Sequence, residues 1–141
     1  MMAVGVLPIE TLWLVDFIAL GKSSGIAAYM FDEDPPLYLR GLSLFHFFLS
    51  PVLIWQLWRH GYDRRALVAQ TVLVWILFPL TWLVTNPDDN INWVFGPGGE
   101  QQLVPPIAYL GLCLLLLSVT IHYPMHLLLE RLCARRPDLY Q

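Results

Sequence analysis

Ala66 to Val84 reads ALVAQTVLVWILFPLTWLV, nineteen residues without a formal charge. A helix needs about 20 mainly apolar residues to cross a hydrocarbon core of roughly 30 Å. In lipid the backbone must satisfy its own hydrogen bonds, so this run predicts a transmembrane helix. Two more runs share its character. Gly41 to Trp58 has eighteen residues and Leu103 to Leu129 has twenty-seven, both uncharged when histidine is counted as neutral. A fourth stretch, Ala3 to Leu20, has the length but carries Glu10 and Asp16. A central carboxylate costs roughly 2.5–3.5 kcal/mol on insertion scales, which weakens this span without removing it.

The expected fold class is therefore all-α: a polytopic transmembrane helical bundle of about four spans. They cover residues 3–20, 38–59, 65–84 and 104–129, with outer loops at 21–37 and 85–103, in one integral membrane domain over residues 1–141. The first helix is the one that could be interfacial or shortened. Composition agrees. Of 141 residues, 57% are apolar and 13% charged, against about 25% charged in soluble domains. Net charge is −3, which gives no basis for a nucleic-acid partner. The first twenty residues lack a basic start and interrupt their apolar run with two carboxylates, unlike a cleavable signal peptide. Cys113 and Cys133 lie twenty residues apart on one predicted helix, too far for a disulfide, and form no metal pattern.

Local chemistry sets the boundaries. Asp34-Pro35-Pro36 reads as an N-cap followed by proline in the first turn. In the turn RHGYDRR (59–65), Gly61 can end one helix in a left-handed conformation and Asp63 can cap the next. Asn86-Pro87 stops the third helix and Pro105-Pro106 opens the fourth. Pro51, Pro79 and Pro124 sit within spans and free the carbonyls of Phe47, Trp75 and Thr120.

Charge sets the expected orientation. Arg59, Arg64 and Arg65 lie between spans two and three, and Arg131, Arg135 and Arg136 follow span four. The segment from Thr85 to Gln102 has no Lys or Arg but contains Asp88, Asp89 and Glu100. Basic residues at span ends favour the cytoplasmic side. The arginine turn and the carboxyl end are then inside, and TNPDDNINWVFGPGG (85–99) is an outer loop. The aromatics agree: Trp55, Trp58 and Tyr123 fall near the inner interface, and Tyr38, Trp82 and Trp93 near the outer one.

Polar residues inside the spans are the candidate sites. His46 lies roughly 12 Å below the outer end of span two, and Asp16 roughly 10 Å below the outer surface, so the two are expected to pair. Ser43, His46 and Ser50 share a stripe. A carboxylate beside a buried imidazole would fix its tautomer or hold its proton. That suits His46 as a base with Asp16 orienting it, and it also suits a static buried pair. A second polar layer groups His122, His126 and Gln70, with Ser118 on the histidine stripe and Glu10, Gln56 and His60 at similar depth. Ser, Gln and His in spans are ordinarily inter-helix hydrogen-bonding groups. His46 and His122 differ in depth by roughly 15 Å and cannot share a metal. His122 and His126 lack a third ligand, so no metal and no cofactor is expected. In the outer loop, Asn90, Asn92 and Trp93 are the candidate substrate entrance, with the loop folding back on the bundle mouth.

Several stretches resemble a family of uncharacterised bacterial multi-pass proteins described as membrane-associated. They are YMFD (29–32), SLFH (43–46), GYDRRAL (61–67), NINWVFGPG (90–98) and YPMHLLL (123–129). The resemblance covers nearly the whole chain. It implies a polytopic helical fold in which relatives carry further helices at the amino end, and it implies no activity. A fainter likeness, through the Asn-Trp loop and the membrane histidines, is to integral membrane acyltransferase- or hydrolase-like proteins. The leading expectation is a structural or interaction subunit of a bacterial cytoplasmic membrane, whose partners are lipids and other membrane proteins or further copies of itself. The alternatives are a membrane-embedded enzyme on an apolar or lipid substrate and a small oligomeric transporter.

Overall fold

A computed structural model describes residues 2–33, 35–88, 90–97 and 99–133. The fold is all-α, with no strand among those residues. Four helical rods are arranged in chain order: α1 (Ala3–Ile18), α2 (Leu37–His60), α3 (Arg65–Val84) and α4 (Pro106–Cys133). The last three are long and apolar enough to cross a membrane. Only 11%, 6% and 17% of their most apolar windows are buried within the protein. Water would make so much exposed Leu, Val and Trp untenable, whereas acyl chains solvate it. At 16 residues, or about 24 Å, α1 is shorter than the expected span.

The packing makes α1 the hub, because it lies against each of the other three rods. Its buried side includes Val4, Leu7, Glu10, Trp13 and Asp16, while Leu12, Val15 and Ile18 face outward. This explains how a helix with two carboxylates is accommodated: both point into protein rather than lipid. The inner core joins Ala3, Val4 and Leu7 to Leu53 of α2, Ala66 of α3 and Leu129 of α4. Close approach of α1 to α3 depends on Gly5. A Cβ there would lie 2.6 Å from Nε2 of Gln70, the small-residue contact common between membrane helices.

Boundaries follow local chemistry with two adjustments. α2 begins at Leu37 with Pro36 as its N-cap residue, and Asp34, the expected cap, lies outside the described residues. Gly61 ends α2 with φ +74°. Asp63 accepts a hydrogen bond from the Arg65 backbone N–H at 2.8 Å and starts α3. Val84 is the last residue of α3, ahead of Asn86-Pro87, and α4 starts at Pro106. α2 tightens into a 3-10 turn over Ser43–Phe45. Pro51 and Pro79 are absorbed within continuous helix. Ahead of Pro124, which has no N–H to offer the Thr120 carbonyl, α4 widens into a π-helical turn over Leu117–His122.

Candidate functional site

The expected pairing of Asp16 with His46 is replaced by a different one. His46 Nδ1 lies 2.7 Å from Oε2 of Glu10. α1 ends at Ile18, so Asp16 lies only about 3 Å from its outer end, whereas Glu10, about 12 Å down, matches His46, about 13 Å from the start of α2 at Leu37. In the antiparallel register Leu7 joins Leu53 in the core, and Glu10 is one turn further along, opposite His46. Glu10, assigned from sequence to the other polar layer, is thus the carboxylate that orients this imidazole.

Aromatic rings enclose the pair. Trp13 stacks on His46 with centroids 4.4 Å apart, and Phe45 lies 4.1 Å away. Phe47 meets Trp13 edge-on, and Phe17 connects Trp13 to Phe31. Trp13 Nε1 donates to the Tyr29 hydroxyl at 3.3 Å. No hydroxyl bonds to His46 among the described residues. Ser43 donates instead to the Leu39 carbonyl in its own helix, and the buried Ser50 hydroxyl has no partner there.

Asp16 serves the loop that carries Tyr29. Its Oδ1 accepts from the backbone N–H of Ser23, Ser24 and Gly25, and its Oδ2 accepts from Ala27 at 2.8 Å. The side chain is fully buried. Four converging N–H donors complement a carboxylate. Gly21 permits the return of the chain: at φ +72° its missing Cβ would sit 2.5 Å from the Ala28 Cα. Asp16 is therefore occupied by the loop and has no bond to His46.

The second layer resolves into a zipper between α3, its preceding turn and α4. Trp75 Nε1 donates to Ser118 at 3.1 Å, and Ser118 donates to the Leu114 carbonyl. Thr71 and His122 Nδ1 meet at 3.2 Å. Tyr62 and His126 Nδ1 meet at 2.7 Å. Arg64 pairs with Glu130, which lies 3.7 Å from the other nitrogen of His126. Ser118, His122, His126 and Glu130 recur every fourth residue on one face of α4. The π turn carries the first two. Burial, followed by the negative charges of Glu130 and Asp63, pushes the Tyr62 phenol up to about 12. It stays protonated at neutral pH and can donate to His126 Nδ1 when that nitrogen carries no proton.

Gln70 does not join this zipper. It turns toward Gly5 of α1, and its buried Oε1 has no partner among the described residues. His122 and His126 thus serve different partners, and Gln70 belongs to the α1 contact. The described residues contain no group of three His, Cys, Asp or Glu able to hold a metal ion.

The outer loop folds back on the bundle mouth through its apolar run. Val94 is fully buried, and Phe95 lies 6.4 Å from Trp82 of α3. Trp93 is half exposed. Asn90 uses both ends of its amide within the loop: Nδ2 donates to the Gly96 carbonyl at 2.7 Å, and Oδ1 accepts from Phe95 N–H at 3.1 Å. It staples the loop to itself. Asn92 and Trp93 have φ of +57° and +56°, a strained region for tryptophan. Tyr109 holds the strained turn by donating to the Trp93 carbonyl at 3.2 Å. Asp89 and Gly98 of this loop lie outside the described residues.

Two cavities are open on the surface. One, of about 420 Å³, lies between α3 and α4 and is lined by Leu67, Thr71, Ser118 and Tyr123 among others. The other, of about 460 Å³, lies among α1, α2 and α4 toward the arginine turn. Neither is lined by Glu10 or His46. Comparison with protein-family models, curated proteins and solved structures finds no match to this chain.

Sequence reasoning missed Glu10 as the partner of His46 and missed Tyr62, Thr71 and Glu130 as partners of the α4 stripe. The available signal was antiparallel register. Trp75 with Ser118 and Thr71 with His122 step four residues in opposite directions along neighbouring rods.

Proposed function

We propose that the chain is a multi-pass integral protein of a bacterial cytoplasmic membrane, acting as a structural or interaction subunit that packs against other membrane helices. The supporting observation is how its polar groups are used. Glu10, Asp16, His46, Thr71, Asn90, His122 and His126 each bond within the fold, on several different pairs of elements. They do not converge on a cavity. Polar side chains used this way fasten membrane helices together, and the apolar surface of α2, α3 and α4 remains for lipid and neighbours. The resemblance to membrane-associated proteins without assigned activity is consistent with this reading. Purification from native membranes in mild detergent, after cross-linking, should return the chain with a reproducible partner or a second copy. Recovery only as a monomer overturns the interaction role.

In the proposed topology the arginine end is cytoplasmic. Arg64 pairs with Glu130, which places the α2–α3 turn beside the end of α4. The basic clusters therefore share one end, as the positive-inside rule requires. Arg135 and Arg136 lie outside the described residues. A reporter enzyme fused after Asn90 should be active only outside the cytosol. Activity confined to the cytosol inverts the map.

A second reading, a membrane-embedded enzyme, is favoured by the Glu10–His46 pair alone. Glu10 fixes one imidazole nitrogen, as a base requires. Lipid profiles of cells expressing the wild type and His46→Gln should then differ in one lipid class. Identical profiles remove this reading.

A further inference from the structure

We propose that α1 is a conditional membrane span: it crosses only when α2 supplies His46 to Glu10, and otherwise stays on the side of the outer loops. The proposal rests on the membrane reading above, but not on which face the arginines occupy.

Little within α1 favours its crossing alone. α2, α3 and α4 are each long and apolar enough to span, and α1 is not among them. Its 16 residues cover about 24 Å, short of a hydrocarbon core of roughly 30 Å. Glu10 and Asp16 interrupt it, and a carboxylate in hydrocarbon is costly. Flanking charge also opposes the orientation it takes. Ala3, Val4 and Leu7 join Leu53, Ala66 and Leu129 in the core, so the start of α1 lies at the arginine end. Residues 1–9 contain no Lys or Arg, and Lys22 lies beyond the other end of α1. Basic residues at span ends set orientation, and here the basic residue of α1 is on the side away from the arginine clusters.

Contacts made after crossing offset these costs, and they come from two sources. Asp16 is matched by the chain that follows it, through the N–H groups of Ser23, Ser24, Gly25 and Ala27. That match is local and travels with α1. Glu10 has no local partner. It is buried, and its carboxylate meets His46, 36 residues further on, at 2.7 Å. Among the described residues this is the one side-chain hydrogen bond between α1 and another rod. Trp13, one turn from Glu10, stacks on the same imidazole. α2 can hold His46 in the membrane beforehand, because it is long and apolar enough to span alone. Crossing by α1 is therefore a docking event onto His46. Since α1 lies against each of the other three rods, the bundle is complete only after that event.

The test reads the side of Met2 with a membrane-impermeant maleimide on sealed vesicles, in the full chain with Cys113 and Cys133 replaced by Ser. Met2→Cys reports on α1, and Met2 is exposed. His60→Cys marks the arginine end and Glu100→Cys the outer loop, both at exposed positions. With α1 otherwise unchanged, Met2 should label from the side of His60. His46→Leu leaves Glu10 without its partner. It should raise the ratio of Met2 labelled from the Glu100 side to Met2 labelled from the His60 side roughly 30-fold. Adding Glu10→Leu removes the buried carboxylate together with its need for His46, and should return Met2 to the side of His60. An unchanged ratio in His46→Leu overturns the proposal, as does Met2 on the Glu100 side when Glu10 and His46 are both present. Failure of Glu10→Leu to restore the crossing also overturns it, because a damaged fold rather than an unmatched carboxylate then expels α1. If His60 and Glu100 label from the same side, the membrane reading itself fails, a result separate from the other three.

Discussion

Two regions of this molecule use the same residue types in opposite ways. Around His46 the polar contacts are concentrated: one buried carboxylate, one half-buried imidazole and a group of aromatics, packed against the hub helix. Between α3 and α4 they are distributed: four contacts spaced along the rods, ending in an exposed arginine pair. A concentrated pair has the larger penalty for losing one member, because the other has no second partner to turn to. A distributed set loses little at each position, since the unfolded chain in a membrane also finds partners. Loss of these hydrogen bonds should therefore destabilise the fold by graded rather than equal amounts.

The largest effect should follow Glu10→Ala. It strips His46 of its only side-chain hydrogen bond among the described residues and should destabilise by about 2–3 kcal/mol. Unfolding in mixed micelles with rising SDS would measure it. A double-mutant cycle with His46→Ala should show strong coupling. Additivity would show that the 2.7 Å contact is incidental. Asp16→Ala should come next, at about 2 kcal/mol, by leaving four N–H groups of the loop without an acceptor. Its signature is local: proteolytic cleavage between Leu20 and Phe31 should accelerate before global unfolding changes. If cleavage there is unaffected, the carboxylate does not hold the loop.

Thr71→Val tests the distributed side. It should cost about 0.6 kcal/mol, the average for such contacts between membrane helices, and its cycle with His122→Ala should show coupling of that order. A loss approaching that of Glu10→Ala would erase the contrast between the two regions.

The same contrast decides how much the sequence could show. Lipid imposes its demand on continuous runs, so Ala66–Val84 and its two counterparts are visible residue by residue, and the helices at Leu37–His60, Arg65–Val84 and Pro106–Cys133 follow closely. The stripe on α4 is also visible, since Ser118, His122 and His126 repeat with the helical period. Pairing across helices is not. It depends on register and on which helix is central, and neither is local. The carboxylates of α1 weakened it as a span when read alone; their position on the hub is what makes them tolerable. Asn90 shows the same limit. Its type suggested recognition, whereas its backbone at φ +37° and both amide bonds make it a turn staple.

The smallest effect belongs to Tyr62, at the exposed end of the zipper, and it sharpens the comparison by pH. An ordinary tyrosine ionises near 10, while this phenol is pushed up to about 12, chiefly by burial and then by Glu130. Between those values the folded chain keeps a proton that the unfolded chain has lost. This contribution therefore weakens the fold as pH rises through that window, and is flat below it. The phenolate absorbance of wild type minus Tyr62→Phe should titrate near the upper value. Glu130→Gln should move it down only in part, because burial remains. A titration near 10 in the wild type would mean that the phenol is open to water, and that the zipper ends at Thr71 and His122 rather than reaching the arginine turn.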